Sequence, residues 1–176
     1  MDVTAVDVRR TAPEDAPAYL DYVVRNRERL APFEPTHTDD YYTLGSVLDR
    51  LTDERRIQFA AFLDGRIVGQ AALSNLSTDP GVYCNSTIGY DVDGEHRRVG
   101  VATKLVRHAV QSAFSDHGRH RVEAGTLVDN VASQRVLDAC GFVRIGVSPL
   151  HVKIAGAWRD HVLYAITPER WEDLGG

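Results

Sequence analysis

Between two β-type runs, Thr87-Ile88-Gly89-Tyr90-Asp91-Val92 and Arg121-Val122-Glu123-Ala124-Gly125-Thr126-Leu127-Val128, the apolar residues Val101, Leu105, Val106, Ala109, Val110, Ala113 and Phe114 recur at helical spacing. A strand, a helix that ends near His117-Gly118 and a second strand make a crossover, which is the strongest constraint on topology in the chain. The other strands read as antiparallel neighbours. Asp64-Gly65 separates Ile57-Gln58-Phe59-Ala60-Ala61-Phe62 from Arg66-Ile67-Val68-Gly69-Gln70-Ala71-Ala72-Leu73, a hairpin signal. Phe142 to Val147 and Trp158 to Ile166 read as two closing strands joined by a turn at Ala155-Gly156.

Ahead of these, Val6-Asp7-Val8-Arg9 reads as a short strand. Thr11-Ala12-Pro13-Glu14 has the form of a capping box and predicts a helix from about Pro13 to Glu28. A second helix of about four turns is expected from a cap at Thr38-Asp39-Asp40, turning Tyr41, Leu44, Val47, Leu48 and Leu51 inward. Asn75 to Ser86 reads as a loop, and Gly89 suggests a bulge or a closely approaching ligand. A last helix starts at Asp129-Asn130-Val131-Ala132-Ser133 and stops at Gly141, a C′ residue. The order βααββ(β)αβαββ is α+β: a mixed, mostly antiparallel sheet flanked by helices, with a central βαβ crossover.

The 176 residues are expected to form one domain over 1–176, with 43% hydrophobic and 26% charged residues, as in soluble globular proteins. No apolar run is long enough to span a membrane and no secretory signal is visible, so no membrane partner and a cytoplasmic location are expected. A net charge of −5 argues against nucleic-acid binding and slightly favours cationic partners. Cys84 and Cys140 stand alone and read as buried or incidental. His37, His96, His120, His151 and His161 share no ligand spacing, so no metal is expected.

Chemistry points first to Asp93-Gly94-Glu95-His96-Arg97-Arg98-Val99-Gly100, which carries free backbone N–H groups to a helix N-terminus, a natural anion site. Gly100 permits close approach to a diphosphate, Ala102 is small, and Arg97 and Arg98 add charge. A solvated loop with a turn glycine is the plainer reading of the same residues. No Walker lysine and no GxGxxG fingerprint is present.

The segment Arg97-Arg98-Val99-Gly100-Val101-Ala102 resembles the Q/R-x-x-G-x-G/A acyl-CoA loop of the GNAT superfamily of N-acyltransferases. Arg121-Val122-Glu123-Ala124, then Asp129-Asn130-Val131-Ala132-Ser133-Gln134-Arg135-Val136-Leu137, then Cys140-Gly141-Phe142, resembles the RimJ/RimL-like branch that contains ribosomal-protein N-terminal acetyltransferases. Asn26 to Pro35 upstream and Gly156-Ala157-Trp158-Arg159-Asp160-His161-Val162-Leu163-Tyr164 downstream look similar to that branch too. The resemblance runs from about Asn26 to Tyr164.

It implies the GNAT fold and transfer of an acetyl group from acetyl-CoA to a primary amine, such as a protein N-terminus. Ile88, Tyr90 and Val92 would offer backbone N–H groups to the pantetheine and the thioester carbonyl. Amides of Arg98, Val99, Gly100, Val101, Ala102 and Thr103, beside Arg97, would hold the pyrophosphate. Asn130 would contact the pantetheine, or cap its helix, or both. Where many relatives carry a tyrosine as general acid, this chain has Leu137, which leaves Ser133 as the nearest hydroxyl for the thiolate. Ser133 reads equally as satisfying a backbone group. Glu34, in the proline-rich connection expected to border the acceptor side, ranks first as general base, ahead of Asp91 and Glu123.

Other readings keep the fold and change the acceptor to a small amine such as a polyamine or antibiotic, or the donor to a bulkier acyl-CoA. A further reading, prompted by Leu137, is a non-catalytic acyl-CoA-binding module. By family analogy a homodimer is expected to be accessible, with Trp158 either at its interface or, more simply, in the core.

Overall fold

The Asp64-Gly65 turn forms with both residues at positive φ, +49° and +76°, the geometry that matches the twist of two adjoining strands. In this computed structural model, which describes residues 3–76 and 83–175, it joins the second and third strands. In chain order the elements are β1 (Asp7–Arg10), α1 (Ala16–Leu30), α2 (Leu44–Thr52), β2 (Ile57–Leu63), β3 (Arg66–Ser74), β4 (Asn85–Val92), α3 (Val101–Ser115), β5 (Arg121–Leu127), α4 (Val131–Ala139), β6 (Val143–Ile154), β7 (Ala157–Ile166) and α5 (Pro168–Asp173). Among the described residues the strands form one seven-stranded sheet in the order β1-β2-β3-β4-β5-β7-β6. The pair β4–β5 is parallel and the others antiparallel, so the expected crossover sits at the centre of a mostly antiparallel sheet.

Each face of the sheet is covered. On one, α3 buries Val101, Leu105, Val106, Ala109, Val110 and Ala113 against Val68, Ala71, Ile88, Val92 and Val122. Each fully buried Val or Leu contributes roughly 1.5–3 kcal/mol over exposure. The fit requires Gly69 in β3, because a Cβ there would come within 2.8 Å of Leu105 and 3.3 Å of Val101. On the other face α1 and α2 bring Tyr19, Tyr22, Val23 and Val47 against Ala60 and Ile67. No helix among the described residues is long and apolar enough to cross a membrane.

Several local expectations are corrected. Pro13–Asp15 is a short 3₁₀ turn and α1 begins at Ala16, because the cap lies one residue later than expected: Ala12 N–H donates to Asp15 Oδ2 at 2.8 Å. The Thr11 hydroxyl instead donates to the Gln58 carbonyl at 3.1 Å, tying the end of β1 to β2. The second helix is broken. Asp39–Tyr42 is a 3₁₀ turn, and Thr43 rather than Thr38 caps α2, its Oγ1 accepting Ser46 N–H at 3.3 Å. Gly89 makes no bulge, since the register runs evenly through Ala72↔Gly89, and the space where its side chain would lie is open. Within the expected loop Asn75 to Ser86, Asn85 and Ser86 already belong to β4, and 77–82, with Pro80-Gly81, lie outside the described residues.

At the C-terminal end β6 extends to Ile154, with a register shift between Ser148 and Val152. Trp158 is not a core residue: it is 59% exposed, opposite Lys153 near the tip of the β6–β7 hairpin. The buried tryptophan is Trp171, on the unanticipated α5, and its Nε1 donates to Gln111 Oε1 at 2.9 Å. Gly141 takes the expected C′ place with φ +86°. Cys140 is buried and Cys84 half-buried.

Candidate active site

The parallel pair that the crossover creates is short. β4 and β5 register only at Asn85↔Arg121, Ser86↔Val122 and Thr87↔Glu123. Beyond that rung β4 continues to Val92 on β3, while β5 continues to Leu127 on β7. The two strands therefore part, and on the side facing the gap β4 has no strand partner from Ile88 to Val92 among the described residues. Backbone groups left so are open to a ligand that can pair with them.

Strand alternation divides the side chains of this segment. Ile88, Tyr90 and Val92 pack toward α3, and Asp91 turns to the α1 side of the sheet.

At the end of β4 the chain makes the anion loop. Asp93 Oδ1 accepts Glu95 N–H at 3.3 Å, which starts the Gly94–His96 turn, and Arg97 Nε donates back to the Gly94 carbonyl at 3.1 Å. Arg98 has φ +61°, a left-handed conformation uncommon for a side chain of its size and a frequent mark of functional loops. Gly100, with φ +94°, is the N-cap of α3 and offers no side chain to its helix. The first intrahelical bond is Lys104 N–H to the Gly100 carbonyl at 3.0 Å. The N–H groups of Val101, Ala102 and Thr103 thus have no partner within the helix and lie at its positive end. The nearby Lys104 ammonium is used elsewhere, on the carbonyls of Val3 and Val6.

A cleft of about 590 Å³ opens over this loop and brings together Tyr90, Val92, Arg97, Arg98, Gly100–Thr103, Asn130 and Ser133. Of the other expected contact residues, Ile88 is buried under α3, while Val99 packs at the edge of the core. Asn130 caps α4, its Oδ1 accepting Ser133 N–H at 3.2 Å, and still borders the cleft. Leu137 is fully buried in the core and presents nothing to the cleft. The Ser133 hydroxyl does not cap its helix: it lies 2.9 Å from the Tyr90 hydroxyl.

Glu34 lies just beyond Arg29, Leu30 and Phe33, which line the cleft, on the connection between α1 and α2. Burial, reinforced by the charge of Asp91 and opposed by Arg29 and Arg50, pushes its pKa up to about 7. His37 Nε2 lies 3.9 Å from its Oε2, and burial together with Arg50 lowers the His37 pKa, which disfavours a charged partner there. Asp91, which borders the cleft, has both oxygens occupied: Oδ1 accepts the Tyr22 hydroxyl and Oδ2 accepts Gln70 Nε2 at 2.7 Å. Burial raises its pKa against the pull of these donors. Glu123 is held by Arg121 Nε at 2.7 Å and faces a second hollow of about 160 Å³ with Thr87, Gly125, Ile145 and His151. The three carboxyl groups are thus distinguished by surroundings: donors engage Asp91 and Glu123, while Glu34 is brought close to neutral pH by its burial.

Asp93, Glu95 and His96 bring possible metal ligands within 4.8 Å of one another, but Asp93 is already committed to Glu95 N–H and to Arg25 Nε at 3.0 Å. Sequence reasoning used Tyr90 for its backbone and missed its hydroxyl. Strand alternation, with Ile88 and Val92 as guides, would have placed that ring on the helix side.

A parted parallel pair thus stands beside a helix N-terminus that no side chain of its N-cap covers. Residues 6–143 match the acetyltransferase (GNAT) domain family. The chain is 33% identical over 168 residues to the probable N-acetyltransferase YjcK of Bacillus subtilis, covering 90% of this chain and 92% of that one. Among solved structures, ribosomal-protein-S5-alanine acetyltransferase from Vibrio fischeri superposes with a TM-score of 0.87 at 28% identity, covering 95% of each chain. RimJ of Mycobacterium smegmatis in complex with CoA-disulfide gives 0.83 at 29% identity over 97% of this chain and 89% of that one. This chain belongs to the GNAT acetyltransferase family. Its chemistry is that of an N-acetyltransferase, an enzyme that acylates amines.

Proposed function

We propose that this enzyme transfers an acetyl group from acetyl-CoA to the α-amine at the N-terminus of a protein. The observation that carries the reading is the parting of β4 from β5 beyond Thr87↔Glu123, beside the N–H groups of Val101, Ala102 and Thr103, which have no acceptor within α3. An extended pantetheine arm fits the unpartnered edge of β4 from Ile88 through Tyr90 to Val92, and a pyrophosphate fits the loop from Arg97 to Thr103. Asn130 at the head of α4 borders the same space.

The amine attacks the thioester carbon and a C–N bond forms. The C–S bond then breaks and its electron pair passes to sulfur. Glu34, acting through water, takes the proton that the amine loses, and Ser133 supplies a proton to the sulfur and regains one from solvent. An α-amine with pKa near 7.8 is about one-seventh neutral at pH 7, whereas a lysine is under about 0.1% neutral. A weak base such as Glu34 therefore suits an N-terminal acceptor, with positioning and carbonyl polarisation supplying most of the acceleration. The likeness to a ribosomal-protein-S5-alanine acetyltransferase and to RimJ in complex with CoA-disulfide supports this reading.

The edge strand β6 carries Val143, Ile145 and Val147 half-exposed on alternate positions, which supports a homodimer or a protein-sized acceptor on that side. The location belonging to such a substrate is the cytoplasm.

A thiol-release screen with acetyl-CoA and succinyl-CoA tests the reading against N-terminal peptides, lysine peptides, polyamines and aminoglycosides. Acetyl-CoA with an N-terminal peptide is expected to be turned over fastest. Preference for a polyamine or aminoglycoside would move the acceptor to small amines, and preference for succinyl-CoA would change the donor.

A further inference from the structure

Tyr90 and Ser133 meet across the cleft, one from β4 and the other from the first turn of α4. Tyr90 Oη lies 2.9 Å from Ser133 Oγ and 3.0 Å from the Ser133 carbonyl oxygen. On α4 the place of the expected tyrosine is filled by Leu137, which is buried in the core, so a hydroxyl reaches this end of the cleft from the opposite wall instead.

We propose that Tyr90 is a positioning residue for release of the thiol: its hydroxyl holds Ser133 Oγ so that the Ser133 proton points at the departing sulfur. This rests on the role given to Ser133 above.

A phenol has a single proton, and here two acceptors lie within reach of it. Given to the Ser133 carbonyl, it leaves the Tyr90 oxygen to accept the Ser133 proton, which is then turned away from the cleft. Given to Ser133 Oγ, it leaves the serine's own proton free to face sulfur, and it steadies the charge that builds on Oγ as that proton departs. Arrival of a thiolate in the cleft favours the second arrangement. Burial keeps the phenol protonated well above neutral pH, so Tyr90 retains its proton while Ser133 exchanges one with sulfur and solvent.

The test is a double-mutant cycle on the intact enzyme. Tyr90→Phe keeps the ring packed and removes only the hydroxyl. It should lower kcat about tenfold, the rate equivalent of one hydrogen bond, while KM for acetyl-CoA and the affinity for CoA stay within about twofold. In a Ser133→Ala background the same change should have no further effect, because the two groups act as one unit. Unchanged turnover in Tyr90→Phe overturns the proposal, as does an equal loss in the Ser133→Ala background, which would mark a purely structural role. Full turnover in Ser133→Ala alone removes the role of Ser133 itself, a separate result.

A second measurement needs no phenylalanine variant. With fluorotyrosine placed at position 90, the fluorine resonance should differ between enzyme saturated with CoA and with desulfo-CoA, and this difference should vanish in Ser133→Ala. An identical resonance with both ligands overturns the proposal.

Discussion

Thr87 stands opposite Glu123 on the last rung that β4 and β5 share. Past it each strand keeps its outer partner and loses the inner one, so the sheet stays continuous through β3 on one side and β7 on the other while opening in the middle. The opening is stable because α3 bridges the gap from below, with Val101, Leu105 and Val106 packed on the β4 side and Val122 and Ala124 of β5 in the same core. Binding capacity is thus a product of topology: one parallel pair in an otherwise antiparallel sheet creates the place where two strands can diverge.

Gly100→Glu is expected to weaken CoA binding roughly 10- to 100-fold by calorimetry. At φ +94° any side chain is strained by about 1–2 kcal/mol, and the Cβ would sit 3.5 Å from Val3. The added carboxylate would also stand at the N-terminal end of α3, where a phosphate is otherwise favoured. Unchanged affinity would remove the anion loop from the CoA site.

Activity should rise with pH through about 7 and level off above it, following ionisation of Glu34. Glu34→Gln is expected to abolish this limb of the kcat/KM profile, with the largest relative loss where wild-type Glu34 is ionised. Because the folded pKa lies above the unfolded value of 4.5, the wild type is at its relative best below about pH 4.5 and loses stability as pH rises toward 7. Glu34→Gln should therefore be the more stable form at pH 8, by about 1–3 kcal/mol, and the difference should shrink at pH 5. A parallel pair of stability curves would show that Glu34 does not titrate in this way.

The two tryptophans should behave oppositely in urea unfolding. Trp171→Ala removes a buried ring and its bond to Gln111, at a cost of about 3–5 kcal/mol. Trp158→Ala, at an exposed hairpin tip, should change the stability of the monomer by less than about 0.5 kcal/mol. Equal losses would contradict the placement of the hairpin.

These two residues also show what a sequence can reveal. The Asp64-Gly65 hairpin, the apolar stripe of α3 and the turn at Gly100 were legible because each depends on local conformation or short periodicity. Arg97, Arg98, Gly100 to Thr103 and Asn130, proposed above to hold CoA, border one cleft because the loop is contiguous and Asn130 starts a helix. The core place expected for Trp158 fails because burial depends on what covers a residue, and Trp171 drew no reading because α5, which carries it, is too short to announce itself by periodicity. Thr11 was misassigned for a similar reason: the Gln58 carbonyl, far along the chain, competes for its hydroxyl. The meeting of Tyr90 with Ser133 spans 43 positions and exists only after α3 has turned the chain back. The raised pKa of Glu34 likewise needs the fold, since its charged neighbours come from α1, α2 and β4.

Asp91 supplies a direct check on that electrostatic arrangement. After burial, its negative charge is the largest influence raising the Glu34 pKa. Asp91→Asn removes the charge while keeping the size, so the midpoint of the pH–rate profile should move below 7, with burial of Glu34 preventing a full return to 4.5. The substitution also sets an amide N–H₂ against either the Gln70 amide or the Tyr22 hydroxyl, each of which now donates to Asp91, so the folded state should lose roughly 1–3 kcal/mol. The two effects are separable, because the shift in midpoint is read from kcat/KM against pH and the loss in stability from denaturation at one pH. A destabilised variant whose midpoint stays at 7 would mean that Asp91 and Glu34 do not sense each other, and the base would then have to be sought at another carboxylate.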